Sequence, residues 1–313
     1  MEKLVYQMFI LGCGNLDEAL AKGLGGVIFF TRDINNENSF KNLIKDIKSK
    51  AIIPPFLSID QEGGRVERTE NIRPKRLSAR YAYQNGVLKE QSEEISRELS
   101  EYGINLNFAP CADVNTNPNN PIIGERSFSD NPDDVIKGIR VFVEKSRKYG
   151  VIPCVKHFPG HGDADKDSHL TLPVIDLSIE EMEKTHIKPF KYAIDNNIEM
   201  VMAAHLHCKC FDMETIPASL SQNAIGYLRN NLEYDGIVIS DDMVMKGVQA
   251  YGSLEACIMA INAGLDMFIF RDSDDRTLNM IEELCRVVES NPELKQKVLK
   301  SNERISRLKA KYL

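Results

Sequence analysis

Short apolar runs recur along the whole of this chain, and segments with helical spacing lie between most of them. This alternation constrains the fold more than any other feature, because strands joined through helices lie parallel in one sheet. Strands are predicted over 4–11, 26–30, 56–60, 105–110, 152–157, 199–205, 236–241 and 267–270. Helices are predicted over 40–49, 91–102, 133–149, 179–196, 222–231, 253–263 and 277–289, with a short one at 17–21 and a charged one at 293–308 closing the chain. Boundary residues support these spans. Asp130-Asn131-Pro132 precedes the helix at 133, and Ser178 lies three residues before Glu181, the spacing of a capping box. Gly103, Gly150 and Gly264 follow helices where a left-handed residue is wanted.

Eight strand–helix units in one chain predict a single-domain (β/α)8 TIM barrel spanning 1–313. An open doubly wound sheet is the alternative. The two differ in where chemistry collects: an open sheet concentrates it at one switch point, whereas a barrel gathers every strand end on one face. Nearly every predicted strand here ends in polar groups: Thr31-Arg32, Asp60-Gln61-Glu62, Asp113 just past the fourth strand, Lys156-His157, His205, Asp241-Asp242 and Arg271-Asp272. The barrel is therefore expected.

Composition narrows the partners. Net charge is −7 with no run of Lys and Arg, which argues against a nucleic-acid partner. No apolar run approaches the ~18 residues of a membrane span. The opening MEKLVYQMFILG carries Gln7 and leads into Gly-Cys-Gly-Asn, without the small-residue cleavage pattern of a signal peptide. Seven cysteines at irregular spacing read as reduced thiols, so a cytoplasmic location is expected. Cys208-Lys209-Cys210 is the one close pair, and without a second pair it is a weak zinc signal.

Four segments carry the candidate chemistry. The densest is 156–169, KHFPGHGDADKDSH, with three His, three Asp and two Lys beginning at a strand end. Asp167 stands two residues from His169, so the carboxylate can fix the imidazole tautomer and steady its protonated form, as acid/base work requires. Ser168 lies between them, but a serine-hydrolase triad lacks its G-x-S-x-G elbow here. The second segment is DGIVISDDMVM (235–245), whose strand delivers Asp241 to the barrel mouth, where a carboxylate can attack an anomeric carbon. Asp242 is expected to point elsewhere and cap the next helix. The third is DQEGGRVER (60–68), with a tight Gly63-Gly64 turn and Arg65 and Arg68 beyond it. The fourth, DVNTNPNNPIIGERSF (113–128), is a long polar loop with Arg126 near its end, a length usually explained by binding.

Taken together, KHFPGHG followed by DSH, then SDDMVM, DQEGGRV and IGERSF resemble glycoside hydrolase family 3, in its single-domain β-N-acetylglucosaminidase (β-hexosaminidase) branch. The resemblance implies that Asp241 is the nucleophile, His169 the acid/base and Asp167 its support. It implies that Asp60, Arg68, Arg126, Lys156 and His157 hold the N-acetylglucosamine (GlcNAc) unit, and His205 is expected to shape the sugar pocket. The implied reaction is retaining hydrolysis of terminal β-linked GlcNAc from muropeptide fragments or related glycans, with no metal or organic cofactor. A loop-borne acid must close over substrate, so Gly160 and Gly162 are expected as hinges. Asp33 stands where relatives often carry Asn. Members with a second domain draw their acid from it; none is expected here, which favours the His169 mechanism.

The nearest rival is a phosphorylase using the same residues, because a His acid/base tolerates incoming phosphate better than a carboxylate would. A metal-dependent barrel hydrolase is suggested only by His205-Leu206-His207, and a Schiff-base aldolase only by Lys156.

Overall fold

A computed structural model describes residues 1–164 and 172–313. Among the described residues, eight parallel strands close into one barrel: β1 (Phe9–Gly12), β2 (Gly26–Phe29), β3 (Phe56–Ile59), β4 (Leu106–Asn107), β5 (Ile152–Phe158), β6 (Met200–Ala203), β7 (Ile237–Asp242) and β8 (Met267–Phe270). Each strand pairs with the next in the chain, and β8 returns to β1 through the registers Phe9–Phe268, Ile10–Ile269 and Leu11–Phe270. Strands of a parallel sheet are covered on both faces, and β1, β2, β3, β5, β6 and β8 are buried along their whole length. Phe9 packs its ring 5.3 Å from Phe268 and 5.9 Å from Phe270, locking the closing seam of the barrel.

The outer helices follow the expected spans closely at 17–21 and 253–263. Others extend by a few residues at their caps. The helix Pro132–Lys148 starts with the Asn131 side chain accepting from the Asp133 N–H. The Ser178 hydroxyl accepts from Glu181 N, while Glu181 accepts from Ser178 N, closing the capping box. Gly103, Gly150 and Gly264 all take positive φ. No helix among the described residues is long and apolar enough to cross a membrane.

Three expectations about local structure are corrected. The run 4–11 is not one strand: Glu2–Tyr6 is a short helix and only Phe9–Gly12 joins the barrel. That helix packs against the last two helices, Asp275–Ser290 and Pro292–Tyr312, with Asn302 Nδ2 donating to Leu4 O at 2.9 Å. A short apolar run reads the same in either conformation, and tertiary packing decides. The segment 105–110 forms only a two-residue ladder, Leu106–Asn107; single bonds such as Phe108 N to Ile59 O continue beyond it, and pairing resumes as a bridge between Cys111 and Lys156. The helix expected over 179–196 is interrupted. Wide i→i+5 turns over Met182–His186 separate Ile179–Glu181 from Lys188–Asp195, whose first turn contains Pro189. Proline lacks the N–H that a continuous helix needs at that point. A similar wide turn, Tyr227–Asn231, ends the helix begun at Gln222.

Candidate active site

The carboxyl ends of the strands open into a cavity of about 510 Å³. Ile28, Met202 and Ile269 line it from the barrel side, and its walls carry Asp60, Arg65, Arg68, Arg126, Lys156, His157, His161, Asp241, Asp242 and Arg271. Strand ends β3, β5 and β7 thus deliver Asp60, Lys156-His157 and Asp241 to one space.

A network of opposite charges builds one wall. Lys156 Nζ, 2% exposed, donates to Asp60 Oδ1 at 2.7 Å and lies 2.7 Å from Glu62 Oε1. Glu62 also receives Arg126 in a two-point clasp, Nε at 2.9 Å and Nη2 at 2.8 Å. Paired, hydrogen-bonded ions of this kind tolerate burial that an isolated charge would not. Burial opposes the Glu62 charge, but the adjacent Arg126 and Lys156 outweigh it and hold the carboxyl well below its ordinary range. Burial likewise opposes the charge on Lys156, yet Asp60 and Glu62 keep it protonated. Arg68 lies with Nη2 3.8 Å from Asp60 Oδ2 and its guanidinium 5.6 Å from the centre of the Phe30 ring. Asp33 contributes from behind, accepting the Phe30 N–H at 2.8 Å.

Asp113 builds the adjoining wall. Its Oδ1 accepts the backbone N–H groups of His157 at 3.2 Å and His161 at 2.6 Å. Its Oδ2 meets the His157 ring at Nδ1, 2.7 Å away, and accepts the Cys111 thiol at 3.1 Å. Because Asp113 can only accept, Nδ1 carries a proton, and Nε2 faces Arg126 Nη2 at 3.4 Å. Burial opposes the Asp113 charge, but the His157 ring and the hydrogen bonds accepted from His157 and from the His161 backbone N–H hold the carboxyl well below the usual carboxylate range. His161 is buried against the same cavity, and neither ring nitrogen has a partner among the described residues.

Asp241 lies at the end of β7 across a register shift between Ile239 and Asp242. Its Oδ1 accepts the Asp242 N–H at 2.7 Å. Burial pushes against ionisation, but the neighbouring His157 ring, the Asp242 N–H and the Lys156 ammonium together hold the carboxyl below its ordinary value. Asp242 does not cap a following helix as expected. It lines the same cavity, accepts the Val244 N–H at 3.2 Å and is clasped by the Arg271 guanidinium. The strand shift turns two successive residues toward the mouth. His205 stands behind the cavity wall, with Nδ1 2.7 Å from Ser219 Oγ and Gly247 packed against it. His207 instead faces Ile216 O through Nδ1 at 3.2 Å, so these two histidines do not converge. Among the described residues, Cys111, Asp113 and His157 are close enough to share a metal ion, but they are already joined to one another by the hydrogen bonds above. Asp167 and His169 lie outside the described residues.

Strand-end logic brought out Asp60, Lys156, His157 and Asp241. The same logic names Glu62 and Asp113 only as polar groups at strand ends and gives them, and His161, no role. Asp113 carried a signal, a lone carboxylate just beyond a strand end, and Glu62 stood within DQEGG.

The chain resembles known proteins over most of its length. The model of the glycosyl hydrolase family 3 N-terminal domain matches residues 14–308. The beta-hexosaminidase A of Pseudoalteromonas piscicida is 33% identical over 319 aligned residues, covering 92% of this chain and 53% of that protein. The beta-hexosaminidase of Photobacterium profundum is 34% identical over 271 residues, covering 84% of this chain and 79% of its own. A family 3 beta-N-acetylglucosaminidase structure from Paenibacillus sp. str. FPU-7 superposes with a TM-score of 0.92 at 32% identity, covering all of this chain and 62% of that one. The chain thus spans about half the length of the first of these relatives and under two thirds of the third.

Proposed function

The chain belongs to glycosyl hydrolase family 3, and from that premise we propose that it is a retaining exo-β-N-acetylglucosaminidase with Asp241 as nucleophile. The observation that carries the reading is Asp241 itself: a carboxylate held charged at the end of a barrel strand, facing a cavity whose opposite wall presents Asp60, Lys156, Arg126 and His157. A nucleophile must be ionised to attack carbon, and the charge held on Asp241 supports that role. The Paenibacillus beta-N-acetylglucosaminidase supports GlcNAc as the sugar, and the two bacterial beta-hexosaminidases support an amino sugar.

In this reading Asp60 accepts sugar hydroxyls while Arg68 and Lys156 orient it. Arg126 and His157 complete the grip on the terminal GlcNAc. Asp241 attacks C1 as the bond to the leaving oxygen breaks, and His169, supported by Asp167, gives that oxygen its proton. Now neutral, His169 takes a proton from water, whose oxygen displaces Asp241 from C1 and restores the original configuration. The expected substrates are muropeptide fragments ending in β-linked GlcNAc, met in the cytoplasm.

The test uses p-nitrophenyl β-N-acetylglucosaminide and the matching β-glucoside, with wild type, Asp241→Ala and His169→Ala, with and without phosphate. Release from the GlcNAc substrate alone, lost in both variants and independent of phosphate, is the expected result. GlcNAc-1-phosphate formed only with phosphate present would make the protein a phosphorylase. Activity surviving Asp241→Ala would remove the nucleophile from the mechanism.

A further inference from the structure

The two cysteines of the Cys208-Lys209-Cys210 sequence lie well away from the cavity wall and have no part in the chemistry above. A strand would send alternate side chains along one face several ångströms apart. Here the chain turns instead: Phe211 N donates to Cys208 O at 3.1 Å, and the turn brings Cys208 Sγ within 3.3 Å of Cys210 Sγ. Both flanks of the turn are anchored. His207 N donates to Pro173 O at 2.8 Å and Lys209 N to Ile175 O at 3.0 Å, while beyond the turn Ser221 Oγ donates to Asp212 Oδ2. The backbone that carries the two sulfurs is therefore fixed by the fold.

We propose that Cys208 and Cys210 are a reversible thiol–disulfide site, oxidised by low-molecular-weight disulfides. The two thiols differ as such a site requires. Cys208 is buried, whereas Cys210 is half-buried and can be reached from solvent. Either sulfur can donate across the 3.3 Å contact, so a proton lost from one thiol leaves a thiolate that the other stabilises. Cys210, the sulfur that solvent reaches, is thus the one that attacks. A metal role is disfavoured, because among the described residues no third ligand lies close enough to join the pair.

The reaction balances with glutathione disulfide as oxidant. The Cys210 thiolate attacks one of its sulfurs, forming a mixed disulfide and releasing one glutathione thiolate. Cys208 loses its proton and attacks Cys210 Sγ, forming the internal S–S bond and releasing the second glutathione. Two electrons pass from the protein thiols to the glutathione pair, and the two protons leave with the reduced glutathione.

The full chain, without denaturant, is equilibrated in glutathione buffers of stepped reduced-to-oxidised ratio, acid-quenched, then denatured and alkylated. The expected result is the joint loss of two alkylatable thiols from the seven of the reduced chain, with the same midpoint approached from either side. Tryptic cleavage after Lys209 should then leave two peptides that separate only on reduction. In Cys208→Ser, Cys210 should retain glutathione instead. A glutathione adduct persisting on wild-type Cys210, or oxidation that involves other cysteines first, would overturn the proposal. The peptide linkage is read on wild-type protein, so the result stands even where a variant folds poorly.

Discussion

One carboxylate, Asp113, holds His157 at two points, its ring through Nδ1 at 2.7 Å and its backbone N–H at 3.2 Å. The pairing fixes which ring nitrogen bears the proton and therefore what the ring presents to Arg126 and the cavity. In Asp113→Asn the amide oxygen can still serve the two backbone N–H groups, but its NH2 then faces Nδ1. The His157 tautomer reverses, and an Nε2–H is set against the Arg126 guanidinium, donor against donor. Loss of one charge-assisted hydrogen bond is worth about 1.5–3 kcal/mol. A fall in kcat/KM of roughly 10–100-fold on the GlcNAc substrate is expected, carried mainly by KM if His157 grips the sugar. Unchanged kinetics in a folded Asp113→Asn protein would make His157 a bystander.

Glu62 does for two cations what Asp113 does for one histidine. Removing it in Glu62→Ala leaves Arg126 and Lys156 buried with one fewer counter-charge, and breaking a buried pair from one side costs about 3–5 kcal/mol. Glu62→Gln keeps the shape and one acceptor, so it should cost less than the alanine variant. Urea unfolding at pH 7 measures both. The carboxyl is depressed in the folded state, so its contribution is full above the ordinary carboxylate range and fades as pH falls below it. The gap between wild type and Glu62→Gln should narrow accordingly in acid. A constant gap would mean the charge on Glu62 does not stabilise the fold.

These two acids also mark what the sequence could and could not disclose. β8 was read to the residue, because a four-residue apolar run between a glycine-terminated helix and Arg271-Asp272 has little choice of state. Asp60, Lys156, His157 and Asp241 were legible because a barrel aims its strand ends at one space. Glu62 and Asp113 act through partners 64 and 44 residues away, and local spacing carries no record of such contacts. Asp242 was misread for a related reason: only the strand shift beside β8 and the position of Arg271 turn it inward. The helix at 179–196 was drawn through Pro189 because its apolar periodicity continues on both sides of the break.

Beside its expected role as a hinge, Gly162 has a packing reason in the structure. A Cβ there would lie 1.8 Å from Val114 O, a backbone atom that cannot swing aside. Gly162→Ala should therefore push the chain carrying His161 away from the Asp113 loop. Overpacking of this kind costs about 1–3 kcal/mol, seen as a lower Tm, and kcat/KM should fall with it. Gly150→Ala is the control. Its φ of +71 is strained for alanine, yet nothing lies within 4 Å of the added carbon. It should lose about 1 kcal/mol with kinetics intact. Equal kinetic effects from both would point to general destabilisation.

His161 makes the protein acid-sensitive. Burial, the leading cause, lowers its pKa from 6.5 to about 4, although Asp113 pulls the other way. In the unfolded chain the imidazole takes a proton as pH drops through 6.5, while in the folded chain it stays neutral until about 4. The unfolded state binds more protons across that window, so stability is present above pH 6.5 and is lost as pH falls toward 4. At about 1.4 kcal/mol for each pH unit across that window, the full loss is on the order of 3 kcal/mol. His186 and His205, also lowered by burial, should add to the same trend. Urea unfolding of wild type and His161→Gln at steps from pH 7.5 to about 4.5 isolates the contribution. The wild type should lose stability faster than the variant, with the difference opening below pH 6.5. Parallel curves would mean that His161 is protonated as readily in the fold as in water, and that the wall beside Asp113 is wetter than its burial implies.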